Sequence, residues 1–304
     1  AGSGRGLLTE ARVMEAPLFA LLTAFCIGSA DFSSHYGLRH LKPMQGGFFM
    51  VCIQLVTILA AILLFRDWTV PDWRGPVYYI LAGVFHPGLF FYVLLNAVER
   101  NGPARTVTFK ATAPLFGVAI AFLVLGERPT LAVYVGLFLV VGGVMRLSSG
   151  GGGLMVRGRG IFYLLAAAFI GGLMPNLAKF GLQYLDDPVM GPLFAVIGGI
   201  LTLFIGNTIL ARRTGEAWFR TSSLKGVLLF LPMGVLGGMG WIFYYTALTH
   251  GSVSQVLPLV QLAPFFVILL SRLLIQEQER VSLRLVVSAA AIVTGAVLIT
   301  MGRA

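Results

Sequence analysis

The stretch "ATAPLFGVAIAFLVLGE", residues 111–127, combines a long apolar run with an internal proline and a closing glutamate. A second stretch of the same design, "QLAPFFVILLSRLLIQE", occupies residues 261–277. About 20 apolar residues cross roughly 30 Å of hydrocarbon as an α-helix, and apolar runs of this kind recur along the whole chain. These runs predict helices that span a membrane.

The overall composition supports the same interpretation. The chain has 304 residues, of which 57% are hydrophobic and 11% are charged, whereas soluble domains carry about 25% charged residues. Backbone groups in lipid must pair within the protein, and helices satisfy this requirement. The sequence therefore predicts an all-α polytopic membrane protein. Its ten predicted transmembrane helices lie at 17–38, 44–65, 75–98, 104–125, 130–147, 160–183, 189–211, 224–248, 253–275 and 281–301.

The net charge of +10 does not indicate nucleic-acid binding. The basic residues come singly or in twos and threes between apolar runs, which is the pattern of loops that flank membrane spans. We therefore expect a small-molecule substrate and the lipid bilayer as partners, and no nucleic acid. We also expect the protein to be a monomer or a weak dimer.

The two halves of the chain repeat one another. "YGLRHL" at 36–41 returns as "FGLQYL" at 180–185, and the two stretches quoted first lie 150 residues apart. A glycine-rich segment separates the halves, so we predict a five-helix repeat at 1–147, a linker at 148–159 and a second repeat at 160–304. Because five is odd, the second repeat enters the membrane from the opposite side, which gives the inverted topology of many secondary transporters.

"TAPLFGVAIAFLVLGERPT" at 112–130 and "LAPFFVILLSRLLIQEQER" at 262–280 resemble the ten-helix EamA-like branch of the drug/metabolite transporter superfamily. The family pattern is a proline in the span, an apolar stretch and then Leu-Gly-Glu, and the second half departs from it at Gln276. The resemblance covers nearly the whole chain and implies secondary transport of small organic solutes. Within the superfamily the chain is most similar to bacterial exporters of aromatic amino acids, which implies the bacterial inner membrane.

Lys110 is a charged residue inside the fourth predicted span, and a charge at mid-span costs roughly 2.5–3.5 kcal/mol on insertion scales. It shares a helical face with Pro114 and Gly117, and this small, polar face suits a cavity wall better than lipid. The equivalent residue of the second half is Val260, so the lysine breaks the symmetry of the repeat. Two interpretations stay open: Lys110 binds an anionic group such as a carboxylate, or it reaches the headgroups from inside its span.

Asp31 lies late in the first predicted span. An acid inside a membrane protein usually faces an interior cavity, where its carboxylate could bind an ammonium group or a proton. The alternative is an interfacial aspartate close to the end of the span. Asp31 and His86 are the candidate carriers if transport is coupled to protons.

The third and eighth spans carry aromatic residues beside weakened stretches of helix. Pro87 removes a backbone hydrogen bond from the third span, and a run of glycines leaves room in the eighth. Aromatic walls with room between them suit a flat, partly apolar solute, although aromatic residues near span ends also form ordinary interfacial belts. The candidate binding residues of this kind are His86, Phe90, Trp241, Tyr244 and Tyr245.

Further polar residues and prolines inside the spans complete the predicted site. Asn176, Lys179 and Gln261 are candidate substrate-binding residues, and hydrogen bonding between helices is the alternative role for each of them. Prolines interrupt the hydrogen-bond ladder of a helix, so those within the spans are predicted hinges. The hinge candidates are Pro87, Pro114, Pro175 and Pro264.

Glu127 and Glu277 close the two stretches quoted first. Arg128 and Arg280 follow them closely. Charged side chains at solvated helix ends usually pair in this way, so we interpret both glutamates as structural and not as binding sites for a transported ion.

No catalytic motif stands out. The chain has no Gly-x-Ser-x-Gly or His-Glu-x-x-His sequence, and no Lys-Ser or Lys-Thr follows its four consecutive glycines, so ATP is not indicated. We therefore predict no catalytic residues, no metal site, no cofactor and no enzyme activity. An intramembrane enzyme acting on a lipid-linked substrate and an ion channel are the alternatives.

The orientation of the termini stays open from sequence. Most loop arginines and lysines lie on the side opposite to the termini, and the positive-inside rule would then place the termini outside. The family resemblance implies cytoplasmic termini instead.

Overall fold

The computed structural model describes residues 3–37, 40–65, 72–148, 160–215, 224–275 and 283–302. All but the first residue of the predicted linker 148–159 lies outside these ranges, as do Gln276 and Glu277. The described chain is all-helical, with two π-helical turns at Val84–Leu89 and Ala121–Leu125. Its α-helices are α1 (Ser3–Gly37), α2 (Pro43–Phe65), α3 (Arg74–Gly83), α4 (Phe90–Asn101), α5 (Pro103–Lys110), α6 (Ala113–Ile120), α7 (Leu131–Ser148), α8 (Gly160–Leu182), α9 (Met190–Thr214), α10 (Leu224–Leu229), α11 (Leu231–His250), α12 (Val253–Val260), α13 (Ala263–Ile275) and α14 (Leu283–Met301).

The described helices form the ten spans that the apolar runs predicted. Eight are long and apolar enough to cross a membrane, and the shorter apolar helices Leu131–Leu147 and Val287–Met301 supply spans 5 and 10. Numbered in chain order, the long spans are span 1 (Glu15–Ser33), span 2 (Pro43–Leu64), span 3 (Arg74–Asn101), span 4 (Arg105–Leu125), span 6 (Gly160–Leu182), span 7 (Met190–Arg213), span 8 (Leu224–His250) and span 9 (Val253–Ser271).

Spans 4 and 9 are broken at equivalent positions, as expected of an internal repeat. Residues 111–112 separate α5 from α6, and residues 261–262, which lie 150 residues later, separate α12 from α13. In both cases a proline follows the break, Pro114 in α6 and Pro264 in α13. Proline has no N–H to continue the hydrogen-bond ladder of the preceding helix, so the same residue at the same register interrupts both spans.

Glycines bring some of the spans into very close contact. Between α7 and α14, a Cβ added to Gly136 would lie 2.6 Å from the carbonyl oxygen of Gly295, and a Cβ added to Gly295 would lie 2.7 Å from that of Gly136. Lipid tails are as apolar as leucine, so membrane helices associate mainly through close packing and hydrogen bonds. These two glycines therefore hold spans 5 and 10 together.

Consecutive spans cross in opposite directions, so their connections fall on two faces of the bundle. The face that carries the connections of spans 4–5, 6–7 and 8–9 is called the Glu127 face, after a residue of the first connection. The opposite face carries the connections of spans 1–2 and 3–4, and is called the Pro43 face after the first residue of α2.

Candidate functional site

A cavity of about 720 Å³ lies between the two halves of the chain. Spans 1 to 5 contribute lining residues from the first half, and spans 6, 8 and 9 contribute them from the second. Small-molecule sites are usually apolar cavities of about 300–1,000 Å³ with a few convergent polar groups. This cavity fits that description, because most of its lining is apolar. Its polar lining side chains include Asp31, Gln54, His86, Lys110 and Gln261.

The cavity opens toward the Pro43 face. Pro43 and Val107, which are exposed and lie close to that face along their spans, belong to the lining. The lining residues closest to the Glu127 face along their spans are Tyr244 and Leu257, and both are buried. These two side chains form the floor of the cavity, and the described structure is closed beyond them.

Four aromatic side chains form a connected cluster in the cavity. The ring of His86 lies 4.3 Å from that of Phe90 and 5.5 Å from that of Trp241, measured between centroids. Trp241 contacts Tyr244 edge-on, with centroids 5.9 Å apart. All four residues line the cavity, and each is among the candidate binding residues named from the sequence. An edge-to-face or offset contact of this type contributes about 0.5–1.5 kcal/mol to the binding of another ring.

The backbone of span 3 leaves the helical path at His86. The residue lies in the π-helical turn Val84–Leu89 and has φ −141° and ψ 115°, which are not helical values. Pro87 follows and cannot donate to the ladder. Non-helical backbone at membrane depth occurs where it is buried in protein or lines a cavity, and both His86 and Pro87 line this one. Within the described structure, Nδ1 of His86 is buried and has no hydrogen-bond partner.

One cationic and one anionic side chain line the same cavity. Lys110 is the last residue of α5, at the break of span 4, and its Nζ lies 5.7 Å from the centroid of the Phe90 ring. Asp31 lies near the Pro43 face end of span 1 and is partly buried. Lys110 lines the cavity, a placement that is compatible with the binding of an anionic group.

Three of the predicted site residues lie outside the cavity lining, and two of them serve in packing. Tyr245 is fully buried, and its ring lies 5.5 Å from that of Tyr79, between centroids. The amide of Asn176 donates to the carbonyl oxygens of Gly117 at 3.1 Å and Gly172 at 2.9 Å. This hydrogen bonding ties span 6 to span 4, which is the alternative role that the sequence left open for Asn176. Lys179, the third, is described below.

The predicted hinges also divide into two groups. Pro87 and Pro264 line the cavity. Pro114 is buried behind the lining, although it follows the break of span 4. Pro175 lies inside α8, which continues unbroken through it, so a hinge at Pro175 stays a prediction.

Gln54 is a cavity residue that the sequence analysis missed. Its side chain is only 3% exposed, and its Oε1 has no hydrogen-bond partner in the described structure. Its Nε2 lies close to Gly237, one helical turn before Trp241 on α11. The sequence feature that could have identified Gln54 is an amide in the middle of an otherwise apolar span, where polar side chains usually face the interior of the bundle.

The closed end of the cavity depends on a contact between the two halves. The carboxylate of Glu127 accepts hydrogen bonds from the backbone N–H groups of Val253 at 2.7 Å and Ser254 at 2.9 Å. It also accepts one from the hydroxyl of Ser254 at 2.5 Å. Glu127 was expected to form a helix-end pair with a nearby arginine, but instead it caps the N-terminus of α12 in the other half. Glu277 lies outside the described residues.

Lys179 holds the helix that precedes this contact. Its Nζ donates to the carbonyl oxygen of Leu248, and to that of Gly251 at 2.8 Å, at the C-terminal end of α11. A cation at a helix C-terminus and an anion at a helix N-terminus both interact favourably with the helix dipole. Lys179 and Glu127 therefore stabilise the two sides of the short connection between spans 8 and 9. This role explains why Lys179 lies away from the cavity lining.

Two comparisons place the chain among known proteins, and a third found nothing. One solved crystal structure, whose description names no function, superposes with a TM-score of 0.75 over 94% of this chain and 98% of the other, at 19% identity. No curated protein matches the sequence. The model of the EamA-like transporter family matches twice, at residues 14–149 and 158–301. These two matches span both halves of the protein, so the chain belongs to the EamA-like transporter family.

Proposed function

We propose that this membrane transporter carries aromatic amino acids, or closely related amphipathic metabolites, through its central cavity by alternating access. The family consists of membrane transporters of small solutes, so the open question is which solute the cavity accepts. The observation that carries the proposal is the aromatic cluster of His86, Phe90, Trp241 and Tyr244, which shares one cavity with Lys110 and Asp31.

The aromatic cluster favours a flat, partly apolar side chain. The cavity of about 720 Å³ is large enough for such a solute, since drug-sized ligands occupy sites of about 300–1,000 Å³. Ring contacts add about 0.5–1.5 kcal/mol each beyond the burial of apolar surface. Two such contacts would favour phenylalanine or tryptophan over an aliphatic amino acid by roughly five- to a hundredfold.

The two charged residues complement the ends of a zwitterion. Lys110 can bind the carboxylate of an amino acid, and Asp31 can bind its ammonium group. Ion pairs gain strength in a site that is partly screened from water. A neutral aromatic compound would contact the aromatic cluster but would form no ion pair with Lys110 or Asp31. The same cavity therefore selects for amino acids.

The repeat architecture supports alternating access. In many secondary transporters with inverted repeats, the two halves rock around a central site that opens to each side in turn. The cavity described here opens toward the Pro43 face, and the breaks of spans 4 and 9 offer equivalent bending points beside it. The resemblance to bacterial exporters of aromatic amino acids favours export as the direction of transport.

Uptake into proteoliposomes tests the proposal directly. Purified protein should give saturable uptake of labelled tryptophan and phenylalanine, and slower uptake of labelled leucine. Because only the rings distinguish these solutes, the aromatic cluster predicts the difference. Equal uptake of all three, or no uptake of any by correctly folded protein, would refute the substrate assignment.

An intramembrane enzyme, the alternative function, has no support from any feature of the cavity.

Replacing Trp241 by alanine should raise the half-saturating concentration of tryptophan about fivefold or more, because a ring contact is worth roughly 1 kcal/mol. The same change should alter leucine transport less than twofold, since leucine makes no ring contact. Trp241→Phe is the matched control, because it keeps a ring at the same place on α11. An equal effect of Trp241→Ala on tryptophan and leucine would mean that Trp241 shapes the cavity without recognising the ring.

A further inference from the structure

We propose that the side-chain amide of Gln54 forms a hydrogen bond with a polar group on the ring of the transported solute. The transporter therefore prefers aromatic amino acids whose ring carries an N–H or O–H group, such as tryptophan and tyrosine, over phenylalanine. This inference rests on the proposed function, because it concerns the solute that the same cavity accepts. It adds to the site a residue that recognises the ring by hydrogen bonding and not by packing alone.

Gln54 is a polar side chain that borders the cavity but is almost completely buried. It belongs to the lining, yet only 3% of it is exposed, and its Oε1 has no hydrogen-bond partner in the described part of the chain. A buried polar group without a partner is costly, because it has lost its hydrogen bonds to water and gained none in return. A solute that bonds to this amide supplies the missing partner.

The eighth span leaves space for this amide. A Cβ added to Gly237 would lie 2.5 Å from Nε2 of Gln54, so a larger residue at position 237 would displace the amide. Trp241 follows one helical turn later on α11, and its ring lies 5.5 Å from that of His86, between centroids. Gln54 is therefore next to the aromatic cluster, where the ring of a bound amino acid would contact Trp241.

The depth of Gln54 in the membrane matches the end of the solute that carries the ring. At about 1.5 Å per residue from the Pro43-face ends of their helices, Asp31 lies roughly 9 Å deep, Lys110 roughly 10 Å deep and Gln54 roughly 16 Å deep. The two charges are therefore closer to the opening of the cavity than the amide is. An amino acid that pairs with both charges points its side chain toward Gln54 and the aromatic cluster.

An amide can bond to either kind of polar ring group. Its oxygen accepts from the N–H of an indole or the O–H of a phenol, and its N–H groups donate to a phenol oxygen. The terminal torsion of glutamine is broad and roughly two-fold, so the amide can turn its oxygen toward the cavity with little strain. The ring of phenylalanine has no such group and leaves the amide unpaired. A site built to hydrogen-bond a group of its substrate rejects an analogue that lacks this group.

His86 is the other lining residue that has a buried polar atom without a partner in the described structure. This atom is Nδ1, the nitrogen closer to the backbone in a histidine ring. The ring itself packs against Phe90 and Trp241, with centroids 4.3 and 5.5 Å away. The amide of Gln54 lies at the end of a longer side chain and can turn without disturbing the aromatic cluster. Gln54 is therefore the better placed of the two to bond to the solute.

Competition between matched solutes measures this hydrogen bond in the unchanged protein. Unlabelled solutes compete with a low concentration of labelled tryptophan for uptake into proteoliposomes. Tryptophan is compared with its benzothiophene analogue, in which sulfur replaces the indole N–H and the ring keeps its shape. The analogue should need an about tenfold higher concentration for half-inhibition, equivalent to roughly 1.4 kcal/mol, and phenylalanine should likewise need more than tyrosine. Equal half-inhibition by tryptophan and its analogue would overturn the proposal.

Gln54→Met keeps the length of the side chain and removes the amide. It should raise the half-inhibiting concentration of tryptophan about tenfold, and should change those of the analogue and of phenylalanine less than twofold. An equal loss for tryptophan and its analogue would overturn the proposal, because Gln54 would then only support the packing of span 2. An advantage of tryptophan that survives in Gln54→Met but disappears in His86→Phe would also overturn it. If Gln54→Met does not fold, the comparison in the unchanged protein still decides.

Asn207→Leu is the matched control. Asn207 is a buried amide of span 7 whose Nδ2 also has no partner in the described structure, but it is not part of the cavity lining. Its replacement removes an unpaired amide from the membrane interior and should leave the advantage of tryptophan over its analogue unchanged. An equal loss of this advantage in Asn207→Leu and Gln54→Met would overturn the assignment to Gln54.

Failure of this inference is distinguishable from failure of the proposed function. If the unchanged protein takes up no aromatic amino acid, the proposed function is overturned and this inference with it. If aromatic amino acids are taken up but tryptophan has no advantage over its benzothiophene analogue, only the hydrogen bond to Gln54 is overturned.

Discussion

Replacing Lys110 by methionine is expected to lower the transport of labelled tryptophan, at concentrations below saturation, by roughly ten- to a hundredfold. Lys110 lines the cavity with its Nζ 5.7 Å from the ring of Phe90. A hydrogen bond to a charged group contributes about 1.5–3 kcal/mol, and the cavity has no other lining cation among the described residues. Methionine keeps the length and apolar character of the side chain, so the change isolates the charge.

Two controls make this result specific for recognition of a carboxylate. Lys110→Arg keeps the positive charge and should retain most of the activity toward tryptophan. Tryptamine has the same ring as tryptophan but no carboxylate, so any transport of tryptamine should be unaffected by Lys110→Met. If the variant loses tryptophan and tryptamine transport equally, Lys110 acts on the conformational cycle and not on the solute.

Replacing Gly172 by leucine is expected to prevent assembly of the folded bundle. A Cβ at this position would lie 2.6 Å from the backbone nitrogen of Gly117 and 2.7 Å from the carbonyl oxygen of Ala113. Both obstacles are backbone atoms, so no side chain can turn away, and α6 and α8 must move apart. Overpacking costs about 1–3 kcal/mol or more. Separation would also break the hydrogen bond from the amide of Asn176 to the carbonyl oxygen of Gly117, and a buried polar group that loses a partner costs about 1–3 kcal/mol.

The measurement is the yield of monodisperse protein in detergent and its thermal unfolding midpoint, both of which should fall sharply. Gly142→Leu is the matched control, because a Cβ at Gly142 would meet no atom within 4 Å and the residue is exposed. It should express and melt like the unchanged protein. A Gly172→Leu variant that is as stable as the control would show that α6 and α8 do not pack as closely as described.

Much of the fold could be predicted from the sequence, because membrane insertion depends on properties that individual segments carry. A run of about 20 apolar residues spans the bilayer wherever it occurs, and Pro114 and Pro264 interrupt their helices whatever surrounds them. The placement of His86, Phe90, Trp241 and Lys110 in the cavity also followed a local signal, since a polar or weakened stretch at membrane depth must be sheltered by protein or water.

The position of a side chain could not be predicted where both alternatives look the same in sequence. A polar side chain in a span can face the cavity, as Gln261 does, or bond to a neighbouring helix, as Asn176 does. Aromatic residues such as Tyr244 and Tyr245 are adjacent, yet one lines the cavity and the other is enclosed in the core. In a soluble helix an apolar stripe marks the buried face, but here lipid and core are equally apolar, so that signal is lost.

Ten apolar spans, their division into two similar halves and the prolines that break two of them can be inferred from the residues of each segment. Which polar groups share the cavity and which close it depends on how the spans pack. Glu127 illustrates the difference, because its partners Val253 and Ser254 lie more than 100 residues away in the chain and meet it only after the two halves pack. A helix is specified by its own residues, whereas a contact between two helices depends on how all the helices of the bundle pack.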